Sequence, residues 1–374
     1  MFVKKILQIE PWIDQKEANY IKKIVSKTFL TEGNETKKFE KRFTLKCKSK
    51  YAIAVSNWTN GLYLALKSIN ITKGDEVIVP NLTFIATINA VIMSGATPVI
   101  CEVEEKNLSI DLNHLSKIIT KKTKVIIPVH LYGHCCDLDK LKKISKKNNI
   151  KIVEDAAQSL GAMYGKNYLG SIGTLGGFSF YGNKIITTGE GGIILTNSLN
   201  LKKKIYQLKN HGREVKGVFK HKTIGYNFMF TEMQAAIGNI QLDKLNKILK
   251  KKENIFKRYK LELSKIKKVK FMENLKKNKP VYWFSNIFLD DKKKLKKYLE
   301  KKGIQTRDIF YPIHRQPCYM KENKKIIKRT KKEYTISDKI FNSGLSLPSS
   351  YSLSSAQQLF VINSIKNFFK DNSN

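Results

Sequence analysis

Short apolar runs alternate with longer amphipathic segments through the first half of the chain. The apolar runs are of strand length, and they occupy residues 51–55, 76–80, 98–103, 124–129 and 151–155. Helical patterns separate several of them, at residues 61–69, 83–93 and 138–147. Near-continuous apolar strands joined by helices predict an α/β fold, in which a mostly parallel sheet is covered on both faces. Ligands of such sheets bind beyond the carboxyl ends of the strands.

The pattern changes after about residue 232. A long helical stretch covers residues 234–262, with leucines and Phe256 on its apolar side. A strand-like run at residues 283–289, a lysine-rich helical segment and a short C-terminal helix follow it. We therefore predict a large domain over residues 1–245 and a smaller α/β domain over residues 246–374.

The formal net charge is +39, from 70 Lys and Arg against 31 Asp and Glu. Such an excess is one signature of proteins that bind nucleic acid or an anionic membrane surface. Here the basic residues are mostly lysines scattered over many helical segments, without an arginine-rich tail or a nucleic-acid motif. We interpret most of the charge as solvated surface that would attract an anionic substrate such as a nucleotide sugar. We expect neither a nucleic-acid nor a membrane partner.

Membrane-spanning, secretory and metal-binding patterns are not evident in the sequence. No apolar stretch is long enough to span a membrane, and the apolar run near Met1 is too short for a signal peptide. The five cysteines form no CxxC pair, which favours a reducing, cytoplasmic setting. His130, His134, Cys135 and Cys136 lack a zinc-like spacing, so we expect no metal site.

Lys184 has the most informative position among the many lysines. It lies between the strand-like run at residues 178–181 and a glycine-rich turn at residues 189–192. Burial favours the neutral form of an amine, so a lysine held there is a candidate for Schiff-base formation. The structural alternative is a basic residue that closes a strand, and for Lys184 considered alone that alternative is the better one.

Four further positions near predicted strand ends also have both a functional and a structural interpretation. Residues 55–60 join a strand to a helix whose first amides can bind phosphate or simply be capped. Asp155 ends a buried strand, where it can pair with a protonated ring nitrogen or cap the next turn. Ser179 can bond a phosphate beside Lys184 or lie unused on its strand. Phe84 can stack on a flat cofactor ring or pack in the core.

In chain order these positions supply a phosphate cradle, a stacking aromatic ring, an acid for a ring nitrogen, a phosphate-binding hydroxyl and a lysine. Those are the groups that pyridoxal 5'-phosphate (PLP) requires of a protein. The joint pattern is much more specific than any of its members, and it predicts a PLP enzyme.

The chain resembles the DegT/DnrJ/EryC1/StrS sugar aminotransferases, which are fold-type-I PLP enzymes. The resemblance runs nearly from end to end and is carried by residues 29–33, 74–80, 95–99, 129–134, 180–184 and 224–228. It implies a large domain with a mostly parallel, seven-stranded sheet, a smaller C-terminal domain, and PLP as the cofactor. It also implies a homodimer with shared active sites.

The resemblance further implies a role for each matching residue. Lys184 would bond the cofactor and carry a proton, and Asp155 would pair with the pyridine nitrogen. Gln158 would lie near the ring hydroxyl, and Phe84 would stack on the ring.

Other matching residues would hold the phosphate and the sugar. The phosphate would be bound by Thr59, Ser179 and Trp58, whose position often holds a small residue in this family but whose backbone amide can still serve. Asn227 would reach the phosphate from the other subunit. Three residues would line the sugar site, namely Thr31, Tyr311 and His314.

The implied reaction moves an amino group from glutamate to a nucleotide-linked 4-keto-6-deoxy sugar. The resemblance at residues 130–134 and 180–184 implies GDP-4-keto-6-deoxymannose as the acceptor and C4 as its aminated carbon, giving GDP-perosamine. Lys184 favours transamination, since family members that act as dehydratases have histidine in its place. Three alternatives stay open: a UDP- or dTDP-linked 3- or 4-keto sugar as acceptor, a PLP lyase on the same scaffold, and a basic protein that binds nucleic acid or membranes.

Overall fold

The computed structural model describes residues 5–215, 217–320, 326–331 and 333–371. Its helices are α1 (Gln15–Val25), α2 (Asn34–Cys47), α3 (Trp58–Ser68), α4 (Ala86–Met93), α5 (Leu112–Ile118), α6 (Leu138–Lys147), α7 (Leu199–Lys209), α8 (Glu232–Leu263), α9 (Lys292–Lys301), α10 (Thr335–Ser343) and α11 (Ser355–Asp371). Its strands are β1 (Tyr51–Val55), β2 (Glu76–Pro80), β3 (Thr97–Cys101), β4 (Thr123–Ile126), β5 (Lys151–Asp155), β6 (Met163–Tyr164), β7 (Asn167–Tyr168), β8 (Leu175–Ser179), β9 (Gly192–Thr196), β10 (Asn278–Lys279), β11 (Ser285–Phe288), β12 (Arg307–Asp308), β13 (Lys328–Arg329) and β14 (Gly344–Leu347).

The largest sheet has the strand order β1-β9-β8-β5-β4-β2-β3-β13. Neighbouring strands from β8 to β13 run parallel, whereas β9 pairs antiparallel with both β1 and β8. Seven of these strands have four or five residues, and β13 adds only two residues at one edge. The predicted α/β fold with a mostly parallel sheet of seven strands is therefore confirmed.

The strands of this sheet are apolar at successive positions because both faces of the sheet are covered. On β1, Ala52 and Ala54 belong to one buried cluster, whereas Ile53 and Val55 belong to another. Successive side chains of a strand point to opposite faces, so the two clusters are the two sides of the sheet. Helices α3 and α4 are the next elements along the chain after β1 and β2, so their first turns follow the carboxyl ends of these strands.

Helix α8 connects the large sheet to the C-terminal part of the chain. A capping box starts the helix, with Thr231 and Gln234 bonded to one another. Near its end, Ile255 and Tyr259 pack in a third buried cluster with the antiparallel sheet β11-β14-β12 and with α9 and α11. Because α8 is continuous through residue 245, the division into domains of residues 1–245 and 246–374 stays a prediction.

The lysine-rich segments form amphipathic surface helices. Helix α6 buries Leu138 and Leu141, and α9 buries Leu295 and Leu299, while most of their lysines are exposed. This arrangement agrees with the interpretation of the charge as solvated surface. Over the described ranges, no helix combines the length and the apolar character that crossing a membrane requires.

Candidate active site

Four strand ends meet at one edge of the large sheet. Strands β2, β5 and β8 run parallel through the sheet, and β1 runs in the same direction as β8 because both are antiparallel to β9. Their carboxyl ends bring together the first turn of α3, the loop that carries Phe84, and the strand residues Asp155 and Ser179. This is the edge at which ligands bind in such sheets.

Asp155 is buried at the end of β5, and three donors hold its carboxylate. The Nε1 of Trp58 donates to Oδ1 at 2.9 Å, and the Thr87 hydroxyl donates to Oδ2 at 2.7 Å. The Ala157 amide makes a longer bond to Oδ1 at 3.2 Å. These bonds stabilise a carboxylate that would be costly to bury unpaired, and they hold it in one orientation. Sequence analysis had not singled out Thr87.

Lys184 lies in the turn after β8, and its amine is close enough to Asp155 for the two charges to interact. Burial lowers the pKa of Lys184 from its usual 10.5 to about 8. The Asp155 carboxylate opposes this shift, and the Arg307 guanidinium adds to it. An amine with such a pKa is partly neutral near neutral pH, so it can act as a nucleophile and exchange protons.

Trp283 is a site residue that sequence analysis did not identify. The centre of its ring lies 4.3 Å from the Nζ of Lys184. Its Nε1 donates to the carbonyl of Asn183 at 2.7 Å, which fixes the backbone directly before Lys184. Nothing in the local pattern around Trp283 distinguishes it from an ordinary core tryptophan, so only the fold could place it here.

A second lysine shows that a lowered pKa alone does not identify the reactive amine. Burial lowers the pKa of Lys252, in α8, to about 7. Its Nζ donates to the carbonyls of Trp283 and Ser349, at 3.0 and 2.9 Å. Lys252 therefore ties α8 to the segments around β11 and β14, whereas Lys184 lies beside a carboxylate at the edge of the sheet.

The first turn of α3 provides donors for an anion. Asn57 caps the helix by accepting from the Asn60 amide at 2.9 Å, and the amides of Trp58 and Thr59 have no acceptor within the helix. Ser179 is half-buried at the end of β8, at the same edge. The indole of Trp58 points to Asp155, so only its backbone amide is available here. The phosphate-binding roles of these residues stay predictions.

The two residues expected at the cofactor ring differ in accessibility. Phe84 is 53% exposed, although its ring lies 5.9 Å from that of Phe310. It therefore offers an open face on which a flat ring could stack. Gln158 is buried, and its Oε1 accepts from the Tyr132 amide at 3.0 Å. The proposed contacts of both residues with a cofactor stay predictions.

Asn227 and Thr31 line a cleft of about 1080 Å³ that neither Asp155 nor Lys184 lines. Both residues are exposed. The cleft is basic, and its cationic residues include Lys202, Lys203, Lys204 and Arg213. Asn227 therefore lies away from Asp155 and Lys184 of its own chain. A role for Asn227 in the active site of the other subunit requires such a position, and that role stays a prediction.

His314 and Tyr311 lie in the segment after β12. His314 is only 6% exposed, and its Nδ1 lies 2.9 Å from the side-chain nitrogen of Asn81, while its amide donates to Asn81 Oδ1 at 3.0 Å. These bonds tie the segment to the end of β2. Tyr311 is partly exposed, with its ring packed edge-on against Phe341. The role of both residues in binding a sugar stays a prediction.

Glu154, directly before Asp155, forms a buried pair with His130, at 2.8 Å between Oε2 and Nε2. Burial alone would raise the pKa of Glu154, but bonds from His130 and from the amides of Gly170 and Gly173 lower it. The pair anchors the end of β5 and so helps to place Asp155. Among the residues that the structure describes, no group of three or more His, Cys, Asp and Glu is arranged to hold a metal ion.

The residues at this edge fit PLP. Phe84 leaves a ring face open, Asp155 presents an oriented carboxylate, and α3 and Ser179 offer donors for a phosphate. Lys184 supplies an amine whose pKa is already lowered. An aspartate that only capped a turn would not need the two buried side-chain donors, Trp58 and Thr87, that orient Asp155.

Comparison with known proteins identifies the family of the chain. Residues 11–366 match the DegT/DnrJ/EryC1/StrS aminotransferase family. The chain is 35% identical to the GDP-perosamine synthase of Escherichia coli O157:H7, over 99% of this chain and 100% of that protein. It is 34% identical to the dTDP-3-amino-3,4,6-trideoxy-alpha-D-glucose transaminase of Streptomyces venezuelae, over 78% of this chain and 76% of that protein. The PLP-form of Spr1654 from Streptococcus pneumoniae superposes with a TM-score of 0.91 at 25% identity, over 98% and 99% of the two chains. The chain therefore belongs to the DegT/DnrJ/EryC1/StrS aminotransferase family, and it is a PLP-dependent sugar aminotransferase.

Proposed function

We propose that this protein transfers the amino group of glutamate to C4 of GDP-4-keto-6-deoxymannose, which yields GDP-perosamine. The transfer chemistry is carried by one observation, the lowered pKa of Lys184 beside the oriented Asp155 carboxylate at the strand ends. The choice of sugar is supported by the likeness to the E. coli GDP-perosamine synthase, which covers nearly the whole chain.

Each residue then has a chemical task. When bound, PLP supplies an electron-accepting ring that makes the α-proton of the amino donor acidic. Asp155 stabilises the positive charge on the ring nitrogen, and the Nζ of Lys184 accepts the α-proton and returns it at the neighbouring carbon. The first amides of α3 and the Ser179 hydroxyl bind the phosphate. Phe84 covers one face of the ring and excludes water from it.

The sugar acceptor carries a nucleoside diphosphate, and the basic cleft supports binding of such a group. Lys202, Lys203, Lys204 and Arg213 place several positive charges around it. Lysine and arginine are the usual partners of phosphate oxygens. The overall charge of +39 would also speed the arrival of an anionic substrate.

We also propose a homodimer in which Asn227 completes the phosphate site of the partner. Support comes from the segment before Asn227, where several large apolar side chains are exposed: Val215, Val218, Phe219, Ile224 and Tyr226. An exposed apolar set of this kind is typical of a surface that another chain covers.

The five cysteines are unpaired, and four of them are buried, which supports a cytoplasmic location.

Shared sites predict complementation between two inactive variants. Lys184→Ala and Asn227→Ala should each be nearly inactive alone, because each lacks one essential contact in every site. In a mixed dimer, one site combines the intact Lys184 of one chain with the intact Asn227 of the other. The two variants should be co-expressed with different tags, and the mixed dimer purified. It should have one intact site of two, and therefore about half of the wild-type activity.

A matched control pairs Lys184→Ala with Asp155→Asn. Both residues lie in the same pocket of one chain, so a mixed dimer of these variants has no intact site and should stay inactive. Absence of recovery with Asn227→Ala, in a dimer shown to be mixed, would mean that Asn227 serves its own subunit.

The substrate is tested by incubating the purified protein and PLP with ¹⁵N-glutamate and a panel of nucleotide-linked keto sugars. Mass spectrometry should show ¹⁵N in the product from GDP-4-keto-6-deoxymannose, and NMR should place it at C4. The protein with Lys184→Ala is the control for non-enzymatic amination. Labelling of a dTDP- or UDP-linked sugar instead would favour the second candidate, to which the likeness to the S. venezuelae transaminase points. Loss of an amino or hydroxyl group without ¹⁵N transfer would identify a lyase.

A further inference from the structure

The indole of Trp58 occupies a space that two glycines leave open. Trp58 is the first residue of α3, yet it is only 4% exposed. A Cβ atom on Gly61 would lie 2.6 Å from its ring, and one on Gly177, in β8, would lie closer still and would also meet the Ile193 carbonyl. Real Cβ atoms do not approach other atoms so closely. Both positions must therefore lack a side chain for the ring to lie where it does.

The polar end of this buried ring is directed at Asp155. Its Nε1 donates to Oδ1 at 2.9 Å, while Thr87 donates to Oδ2 at 2.7 Å. Among the described residues, the other hydrogen bond to Oδ1 comes from the Ala157 amide, at the longer distance of 3.2 Å. Because an indole N–H can only donate and an ionised carboxylate can only accept, the direction of this bond is fixed, and it constrains the position of Oδ1.

We propose that Trp58 is a positioning residue: its indole N–H holds the Asp155 carboxylate in the orientation that receives the ring nitrogen of PLP. Gly61 and Gly177 provide the space for it. This inference rests on the proposed use of PLP and adds the residue that orients the acid of the cofactor site.

The effect of losing this bond follows from its chemistry. A hydrogen bond to a charged acceptor is stronger than one between neutral groups, and it is more directional than packing alone. Trp58→Phe keeps an aromatic ring between Gly61 and Gly177 but removes the donor. Oδ1 is then left with one long bond, so the carboxylate can rotate or recruit water and pairs less well with a ring nitrogen.

The test measures ligand binding to the cofactor-free protein rather than turnover. Pyridoxamine 5'-phosphate is a suitable probe because it cannot bond covalently to Lys184. A second probe is its carbocyclic analogue, in which C–H replaces the ring nitrogen. Trp58→Phe should raise the Kd of pyridoxamine 5'-phosphate about tenfold, the loss expected for one hydrogen bond to a charged group. The Kd of the analogue should stay unchanged.

Two further proteins make the result decisive. Trp12→Phe is the matched control, since Trp12 stacks on Tyr351 at 3.9 Å and has no contact with Asp155; both Kd values should stay as in the wild type. If Trp58→Phe does not fold, 3-benzothienylalanine at position 58 keeps the shape of the indole and replaces only its N–H by sulfur. It should give the same selective loss.

The possible outcomes separate this inference from the proposed function. Equal weakening of both probes would mean that Trp58 only supports the shape of the pocket, and no weakening would mean that its N–H is dispensable. Either result overturns the inference alone. If the wild-type protein bound neither pyridoxamine 5'-phosphate nor PLP, the proposed function would fail, and the inference would fail with it.

Discussion

Lys184→Ala is expected to abolish covalent attachment of PLP and to reduce transamination on the order of 10³-fold. The variant lacks both the nucleophile that bonds the cofactor and the base that moves the α-proton. Absorbance spectra of the purified protein with PLP should lose the visible band of lysine-bound cofactor. Single-turnover reaction with glutamate should give the rate loss. A variant that keeps the visible band would show that another amine bonds PLP.

The matched control is Lys252→Met, because burial also lowers the pKa of Lys252, to about 7. Its amine is engaged by two backbone carbonyls, so the variant should lose stability but keep the visible band. In the wild-type protein, attachment of PLP should become faster as the pH rises through about 8, since the neutral amine is the nucleophile. An unperturbed lysine would place this midpoint near 10.5.

Asp155→Asn is expected to keep part of the cofactor but to lose transamination about 10²-fold or more. An amide has the size of the carboxylate but cannot stabilise a positive charge on the ring nitrogen. It also leaves Trp58 and Thr87 without a charged acceptor. Cofactor content should be measured by absorbance after gel filtration, and the rate by rapid mixing with glutamate. Full turnover in the variant would exclude the assigned role.

Asp111→Asn is a control for the loss of one negative charge. Asp111 caps α5 by accepting from the Asn113 and His114 amides. Asparagine caps a helix about as well as aspartate. This variant should keep wild-type cofactor content and turnover. A similar loss in both variants would point to a general effect of charge rather than to the position of Asp155.

Several features of the fold could be predicted because they depend on local patterns. The apolar runs at β1, β2 and β5 are continuous enough to indicate buried strands, and the Ser and Asn residues in 55–60 indicate a helix cap, which the structure assigns to Asn57. Since parallel strands end at one edge, Asp155 could be assigned to that edge from the sequence. The antiparallel placement of β9 was not predicted, because the pairing of a strand depends on its neighbours rather than on its own residues.

Other features depend on contacts between residues that are far apart in the chain. Trp58 was expected to bind the phosphate through its backbone amide, which stays a prediction, and the structure adds that its indole crosses to Asp155 through the space beside Gly61 and Gly177. Trp283 lies beside Lys184 through a contact between distant segments, and no local signal marks it. The sugar-binding role of His314 stays a prediction, and its burial against Asn81 is a contact that the sequence did not indicate.

The sequence by itself determined the fold class and the family and predicted Lys184 as the reactive lysine, because these depend on periodicity and on motifs that are contiguous in the chain. The tertiary structure decided how Asp155 is oriented, which tryptophan faces Lys184, and why Lys252 is a structural residue. The hydrogen-bond partners and the desolvation of a side chain are set by its neighbours in space. Those neighbours come from segments that are far apart in the chain, and the sequence does not show which of these segments are in contact.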